Sequence, residues 1–317
     1  MKKRVLILSL LMTFCIGCKQ RDPNVFSIGS ARISSNYYFI AEAIAENASQ
    51  TIDGMKFTTV ESNGSEDNVR GVVSDKYQLA IAQSDTLYDA FNAEGVFADE
   101  PPIDTIRAVA GLYPEAVQIV TRKDLEMNSV AGLWGATISV GDEHSGTEQN
   151  AFQVLLAGEM NENKVNTVNM STKEAAEALK NGEIDAFFYT SGTPSGVVEE
   201  LAEDVEISLI PIDGEIRDTL LKSHTYFNEC VIPAGTYKGQ TEDIETISIM
   251  SVLITNEKMD PKMIEAVTKS IFENRERIRG SVKISFDLDE AHAVSHIPVP
   301  FHDGAKAYYS EKGITAE

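Results

Sequence analysis

An α/β fold in two lobes is what this sequence predicts, and three observations carry the expectation. Short apolar runs alternate with amphipathic helical patterns along most of the chain. The runs end in loops that feed helix N-termini, the arrangement in which ligands sit beyond the carboxyl ends of strands. Finally, 317 residues with 43% hydrophobic and 24% charged side chains bury more core than one small domain needs.

The strand-like runs fall at residues 56–61, 78–82, 105–111, 116–121, 137–141, 184–189 and 207–212, with a longer apolar run at 246–255. Between them, Ser34 or Ser35 caps a helix whose apolar face is Ile40, Ala41, Ile44, Ala45 and Ala48. Ser145 with Glu148, and Ser171 with Glu174, have the spacing of capping boxes. Asp85 reads as a cap for the helix that follows Gln83 and Ser84. Thr193-Pro194 and Asp260-Pro261 each place a cap before a first-turn proline, the second opening a helix that runs to about Gly280. Asn181-Gly182 supplies a stop. No repeat period and no low-complexity segment interrupts the pattern.

The N-terminus reads as an export signal. Lys2, Lys3 and Arg4 precede an apolar run from Val5 through Gly17, shorter than the roughly 18 residues of a membrane span. The run ends in Gly17-Cys18, which resembles a bacterial lipoprotein signal: residues 1–17 would be removed and Cys18 lipidated at the head of a tether over 18–26. Two acyl signals on one cysteine are enough for a stable anchor, so the expected location is the extracytoplasmic face of a membrane. An ordinary cleaved signal is the alternative. With Cys15 lost and Cys18 acylated, only Cys230 remains, so no intramolecular disulfide forms, and its apolar neighbours Val231 and Ile232 make it a packed thiol. The formal charge of −22 repels nucleic acid and anionic membrane surfaces. It also opposes an anionic ligand, which then needs strong local donors. A monomer without a cofactor is expected.

Six segments in order resemble the TAXI family, the extracytoplasmic solute receptors of one branch of TRAP-type secondary transporters. They are Leu79-Ala80-Ile81-Ala82-Gln83-Ser84-Asp85; Leu112-Tyr113-Pro114-Glu115-Ala116-Val117; Ser139-Val140-Gly141-Asp142 with Ser145-Gly146-Thr147-Glu148; Ile184-Asp185-Ala186-Phe187-Phe188-Tyr189 with Ser191-Gly192-Thr193-Pro194; Ile232-Pro233-Ala234-Gly235-Thr236-Tyr237; and Pro298-Val299-Pro300-Phe301-His302. The resemblance implies a periplasmic-binding-protein-like fold with a ligand cleft between two α/β lobes that close on binding. It also implies glutamate, glutamine, 2-oxoglutarate or a similar small acid as ligand, and a TRAP-type permease as partner. The expected lobes are 27–112 with 228–317, and 113–227.

One stretch departs from the family. The usual Gly-rich lead into a Tyr-Tyr pair is here Gly29-Ser30-Ala31-Arg32-Ile33-Ser34-Ser35-Asn36 before Tyr37-Tyr38. The side chains of Ser30, Arg32 and Asn36 thus stand where backbone would meet ligand, and Arg32 can clamp a carboxylate bidentately. Its alternative is a solvated surface arginine.

The candidate binding residues follow from strand ends and helix starts. Ser145, Gly146 and Thr147 open a helix where a carboxylate can approach backbone N–H groups. Gln83 offers donors and an acceptor, with Ser84 beside it. Asn63 follows a strand in the same way. Tyr37, Tyr113 and Tyr189 lie near strand ends, Tyr189 beside the Gly192-Thr193 turn; packing in the core is the alternative for each.

Enzyme readings find no support. No G-x-G fingerprint, P-loop or G-x-S-x-G elbow occurs. His292 and His296 are spaced as a metal pair without a recognisable third ligand. Asp142, His144 and Ser145 have the residue types of a triad, but sequence adjacency is not a spatial relay. The chain reads as a binding protein, not an enzyme. A ligand sensor signalling to a membrane kinase is the rival, an envelope hydrolase a weaker one.

Overall fold

The computed structural model describes residues 22–317 with the exception of 34, 162 and 285. The expected signal segment, 1–17, and Cys18 lie outside the described residues, as does Ser34. The chain opens with β1 (Val25–Gly29), α1 (Asn36–Thr51), β2 (Lys56–Val60), α2 (Ser65–Val73), β3 (Leu79–Gln83) and α3 (Ser84–Asn92). It continues through β4 (Ile106–Arg122), β5 (Thr137–Ser139), α4 (Gly146–Ala157), β6 (Asn166–Val168), α5 (Thr172–Asn181), β7 (Ala186–Ser191) and α6 (Gly196–Asp204). Then come β8 (Ile207–Leu209), α7 (Gly214–Ser223), β9 (Asn228–Ile232), β10 (Ile244–Asn256), α8 (Pro261–Glu273), α9 (Arg275–Arg279) and α10 (Asp303–Glu311). None of the helices among the described residues is long and apolar enough to cross a membrane.

The strands order as β2-β1-β3-β10-β4-β7-β5-β6, with β8 on β4 and β9 on β10. β1 pairs in parallel with β2 and β3, and β5 in parallel with β6 and β7. These two parallel groups are the cores of two lobes. β4 and β10 are antiparallel to each other and run through both. Ala108 to Tyr113 of β4 and Val252 to Ile254 of β10 pack into one core with α1, α8 and α10. Val117 and Ile119, with Ile247 and Ile249, pack into the other. The change of lobe coincides with a register shift between Ser251 and Val252. We therefore place the lobe boundary near residue 250 rather than 228, because Ile232, Tyr237 and Ile247 pack with second-lobe residues.

Local chemistry accounts for most boundaries. The hydroxyl of Ser35 accepts from the Tyr38 N–H at the start of α1, and the helix buries Ile40, Ala41, Ile44, Ala45 and Ala48 at helical spacing. Ser171 and Glu174 form a full capping box. Ser145 accepts from the Glu148 N–H, but the Glu148 carboxylate reaches the His144 N–H at 2.7 Å rather than Ser145, so only half of the expected box forms. Gly182 ends α5 at φ 74°, and Asp260 caps α8 with Pro261 in its first turn.

Other expectations need correction. The runs at 105–111 and 116–121 are one strand, β4. Pro114 lies opposite Met250 just before pairing with β7 begins at Ala116, where a missing N–H costs little. Residues 25 and 26 belong to β1, not to the tether. Thr193-Pro194 is a cis peptide, and α6 begins two residues later, after Ser195. The helix from Asp260 breaks at Asn274. Asp85 lies inside the first turn of α3, whose N-cap position is Gln83.

Candidate functional site

Strand ends and helix starts of both lobes converge on a cavity of 680 Å³. The first turns of α1, α2, α4 and α5 all border it. A helix start leaves four N–H groups without intrahelical acceptors and carries partial positive charge. Ser35, Ser145 and Ser171 each take one of those N–H groups, and the Gly64 cap of α2 takes none through a side chain. An anion in the cavity thus faces four positive helix ends.

Of the expected residues, Arg32, Asn36, Tyr37, Asn63, Gln83, Tyr113, Ser145, Gly146, Thr147 and Tyr189 line this one cavity. The other four lie off its wall. The Ser30 hydroxyl is turned into the first lobe, donating to the Val60 carbonyl at 2.8 Å. Ser84 accepts from the Met250 N–H at 3.1 Å and ties α3 to β10. Gly192 lies against Ile284, and Thr193 precedes the cis bond. Cys230 is a half-buried free thiol whose pKa burial raises.

The floor of the cavity holds a residue that sequence reasoning passed over. Glu115, only 2% exposed, sits on β4 where the strand changes lobes. The Tyr37 hydroxyl donates to it at 2.7 Å and the Tyr113 hydroxyl at 3.2 Å. Burial pushes the Glu115 carboxyl up to about 8, against the opposing hydrogen bonds of Tyr37, Tyr113 and Gln83. Burial, and after it the nearby Glu115 carboxyl, raise both tyrosines as well. At neutral pH the floor is therefore a mostly protonated acid between two phenols. The signal was present: a carboxylate inside the apolar segment Leu112 to Val117 has no solvent to face.

Gln83 and Gly146 meet across the lobes. A Cβ on Gly146 would lie 1.8 Å from the Gln83 Oε1, so a larger residue there would push that amide aside. Gln83 is 4% exposed, and its Oε1 has no hydrogen-bond partner. The Thr190 hydroxyl, also on the wall, is likewise buried and unpartnered. Two polar atoms at this wall await a partner, and such groups cost about 1–3 kcal/mol each when left alone.

Direct contacts hold the lobes together around the cavity. Asn36 donates to the Ser191 hydroxyl at 3.0 Å, and His144 Nδ1 lies 3.0 Å from Glu66. Gln149 and Asn150 of α4 hydrogen-bond Asp89 and Asp85 of α3. Burial raises Asp85 to about 7 and Asp89 to about 6. Arg32 belongs to this set: its Nη2 lies 3.1 Å from Asp142 Oδ1. The guanidinium expected to clamp a ligand lines the cavity and joins the two rims of the cleft. Among the described residues no group of three or more metal-ligating side chains is assembled, and His292 pairs with Asp289.

The sequence profile of the NMT1-like family matches residues 28–313. The chain belongs to the NMT1-like family. Solved structures place this NMT1-like chain in the periplasmic-binding-protein fold. It is similar to a structure titled for glutathione import via GshT and a cystine importer of Streptococcus mutans, with TM-score 0.54, 11% identity, and coverage of 84% of this chain and 98% of that one. A putative L-cystine ABC transporter protein from Listeria monocytogenes gives TM-score 0.51 at 10% identity, covering 81% and 94%. The alkanesulfonate-binding protein SsuA from Xanthomonas axonopodis pv. citri, bound to MOPS, gives 0.50 at 14% identity, covering 83% and 81%. At these identities the likeness is one of fold, and the two-lobed α/β architecture is common to all.

Proposed function

We propose that the chain is an extracytoplasmic solute-binding lipoprotein that captures a small carboxylate between its lobes and delivers it to a TRAP-type permease. One observation carries the reading: segments far apart in sequence place Gln83, Tyr113, Ser145 to Thr147 and Tyr189 on a single cavity bordered by four helix starts. A carboxylate takes the N–H groups at the starts of α1 and α4. Glu115, mostly neutral at pH 7, does not repel it, and supplies an O–H donor. The unpartnered Gln83 Oε1 suits an N–H or O–H elsewhere on the ligand.

The TRAP-type partner rests on the TAXI-like segments, four of which supply this wall; no catalytic step is proposed. Arg32 and Asp142, Asn36 and Ser191, and His144 and Glu66 act as contacts of the closed state, so ligand entry requires them to part. Lipidation at Cys18 holds the protein at the membrane where the permease lies. Titration calorimetry with glutamate, glutamine and 2-oxoglutarate at neutral pH tests the site. Saturable binding of at least one acid is expected, and the absence of heat and of any thermal shift with all three would refute the carboxylate reading.

A further inference from the structure

The cavity does not end where a small acid would. A second cavity of 620 Å³ adjoins it, and Asn36, Phe39, Lys173 and Val197 line both. A ten-atom acid displaces on the order of 200 Å³, whereas pockets of about 300–1,000 Å³ accommodate drug-sized molecules. The first cavity alone exceeds what glutamate needs, and the shared wall extends the available path beyond α5 and α6.

The wall of the second cavity carries three cations, Lys173, Lys180 and Lys283, and three anions, Glu177, Glu200 and Asp204, so it is net neutral; Lys180 bonds Asp204 at 2.7 Å. Beside these charges the wall offers apolar surface from Phe39, Pro194, Val197, Leu201 and Val282. Phe39, on the border, is 40% exposed, an aromatic face left to water on an otherwise acidic protein. Covering such surface is favourable at about 25 cal/mol per Å². A net-neutral wall gives no preference for a second charge of either sign, and its apolar surface takes carbon.

We propose that the ligand is a carboxylate carrying an apolar extension, its head among the helix starts of the first cavity and its tail passing Phe39 and Val197 into the second. The proposal rests on the carboxylate reading of the first cavity and adds the class of the remainder of the molecule.

The test is a chain-length series, N-acyl glutamates from acetyl to octanoyl, titrated calorimetrically against the mature protein beside free glutamate. Each methylene buried contributes about 0.8 kcal/mol at most, so Kd should fall about two- to four-fold per added carbon until the second cavity is filled. A second variant reads the route of the tail. A Cβ at Gly196, which lines only the second cavity, meets no atom within 4 Å, so Gly196→Trp places a ring there without disturbing the core. It should bring the ratio of octanoyl to acetyl affinity down towards one. If short acids bind and Kd stays flat or rises with chain length, the extension is refuted while the carboxylate site stands. An unchanged ratio in Gly196→Trp refutes the proposed route. If no acid of any length binds, the carboxylate reading fails and this proposal with it.

Discussion

Replacing Glu115 with glutamine isolates one buried proton. The carboxyl is raised from 4.5 to about 8 in the folded chain, chiefly by burial. A carboxyl raised in this way binds more protons folded than unfolded at intermediate pH. Its contribution to stability is fully present below about 4.5 and is lost as pH rises through about 8. One pKa unit is worth about 1.4 kcal/mol, so between pH 6 and pH 8 the loss should be about 2 kcal/mol. Glutamine does not titrate, and the Tyr37 and Tyr113 hydroxyls can turn to accept from its amide. Asp85 and Asp89 tilt stability in the same direction, but both proteins keep them, so the difference between the two proteins belongs to Glu115. Urea unfolding at a series of pH values measures it. Wild type should weaken relative to Glu115→Gln as pH rises, and parallel stability curves would refute a neutral acid at the cavity floor.

Four further outcomes are expected. Gly146→Ala should lower ligand affinity at least about ten-fold by displacing the Gln83 amide, while the melting temperature moves little because both lobe cores are untouched; calorimetry and thermal unfolding read the two. Arg32→Ala and Asp142→Asn should each weaken charged and neutral ligands alike by about two-fold, the scale of an exposed ion pair, and the double variant should add nothing; a large loss confined to dicarboxylates would put Arg32 on the ligand. Small-angle scattering should show a smaller radius of gyration once a binding acid is added, and an unchanged profile at saturation would remove closure. Cys18→Ser should abolish labelling by a fatty-acid probe, and a wild-type protein that never labels would remove the anchor.

Much of the fold was legible because periodicity and caps are local. The apolar face of α1, the Ser171 box and the Gly182 stop depend on residues a few positions apart. β4 was read as two strands because Pro114 and Glu115 interrupt its apolar run; only the tertiary position at the lobe crossing makes both acceptable. β6 is three residues long and largely exposed, too short to produce an alternation. Gln83 at the end of β3 and Ser145 at the start of α4 lie on the cavity wall as expected, whereas Tyr113, expected near a strand end, reaches the wall from the middle of β4. The contact of Arg32 with Asp142 was not legible, because the two lie 110 positions apart. Ser30 and Ser84 have the right residue type, but their orientation depends on Val60 and Met250, which no local pattern reveals.

The two long strands also govern when the molecule can become whole. β3 gains its neighbour β10 only after about 170 further residues, and α8 and α10, which complete the core around Ile28 and Ile40, come last. A nascent chain ending anywhere before β10 carries a first lobe with one sheet edge bare and part of its apolar surface uncovered. Such long-range pairing folds slowly. If the chain is exported as proposed, this delay is useful: before the C-terminus is made, the first lobe lacks part of the core that would lock it into a shape a narrow translocation channel refuses.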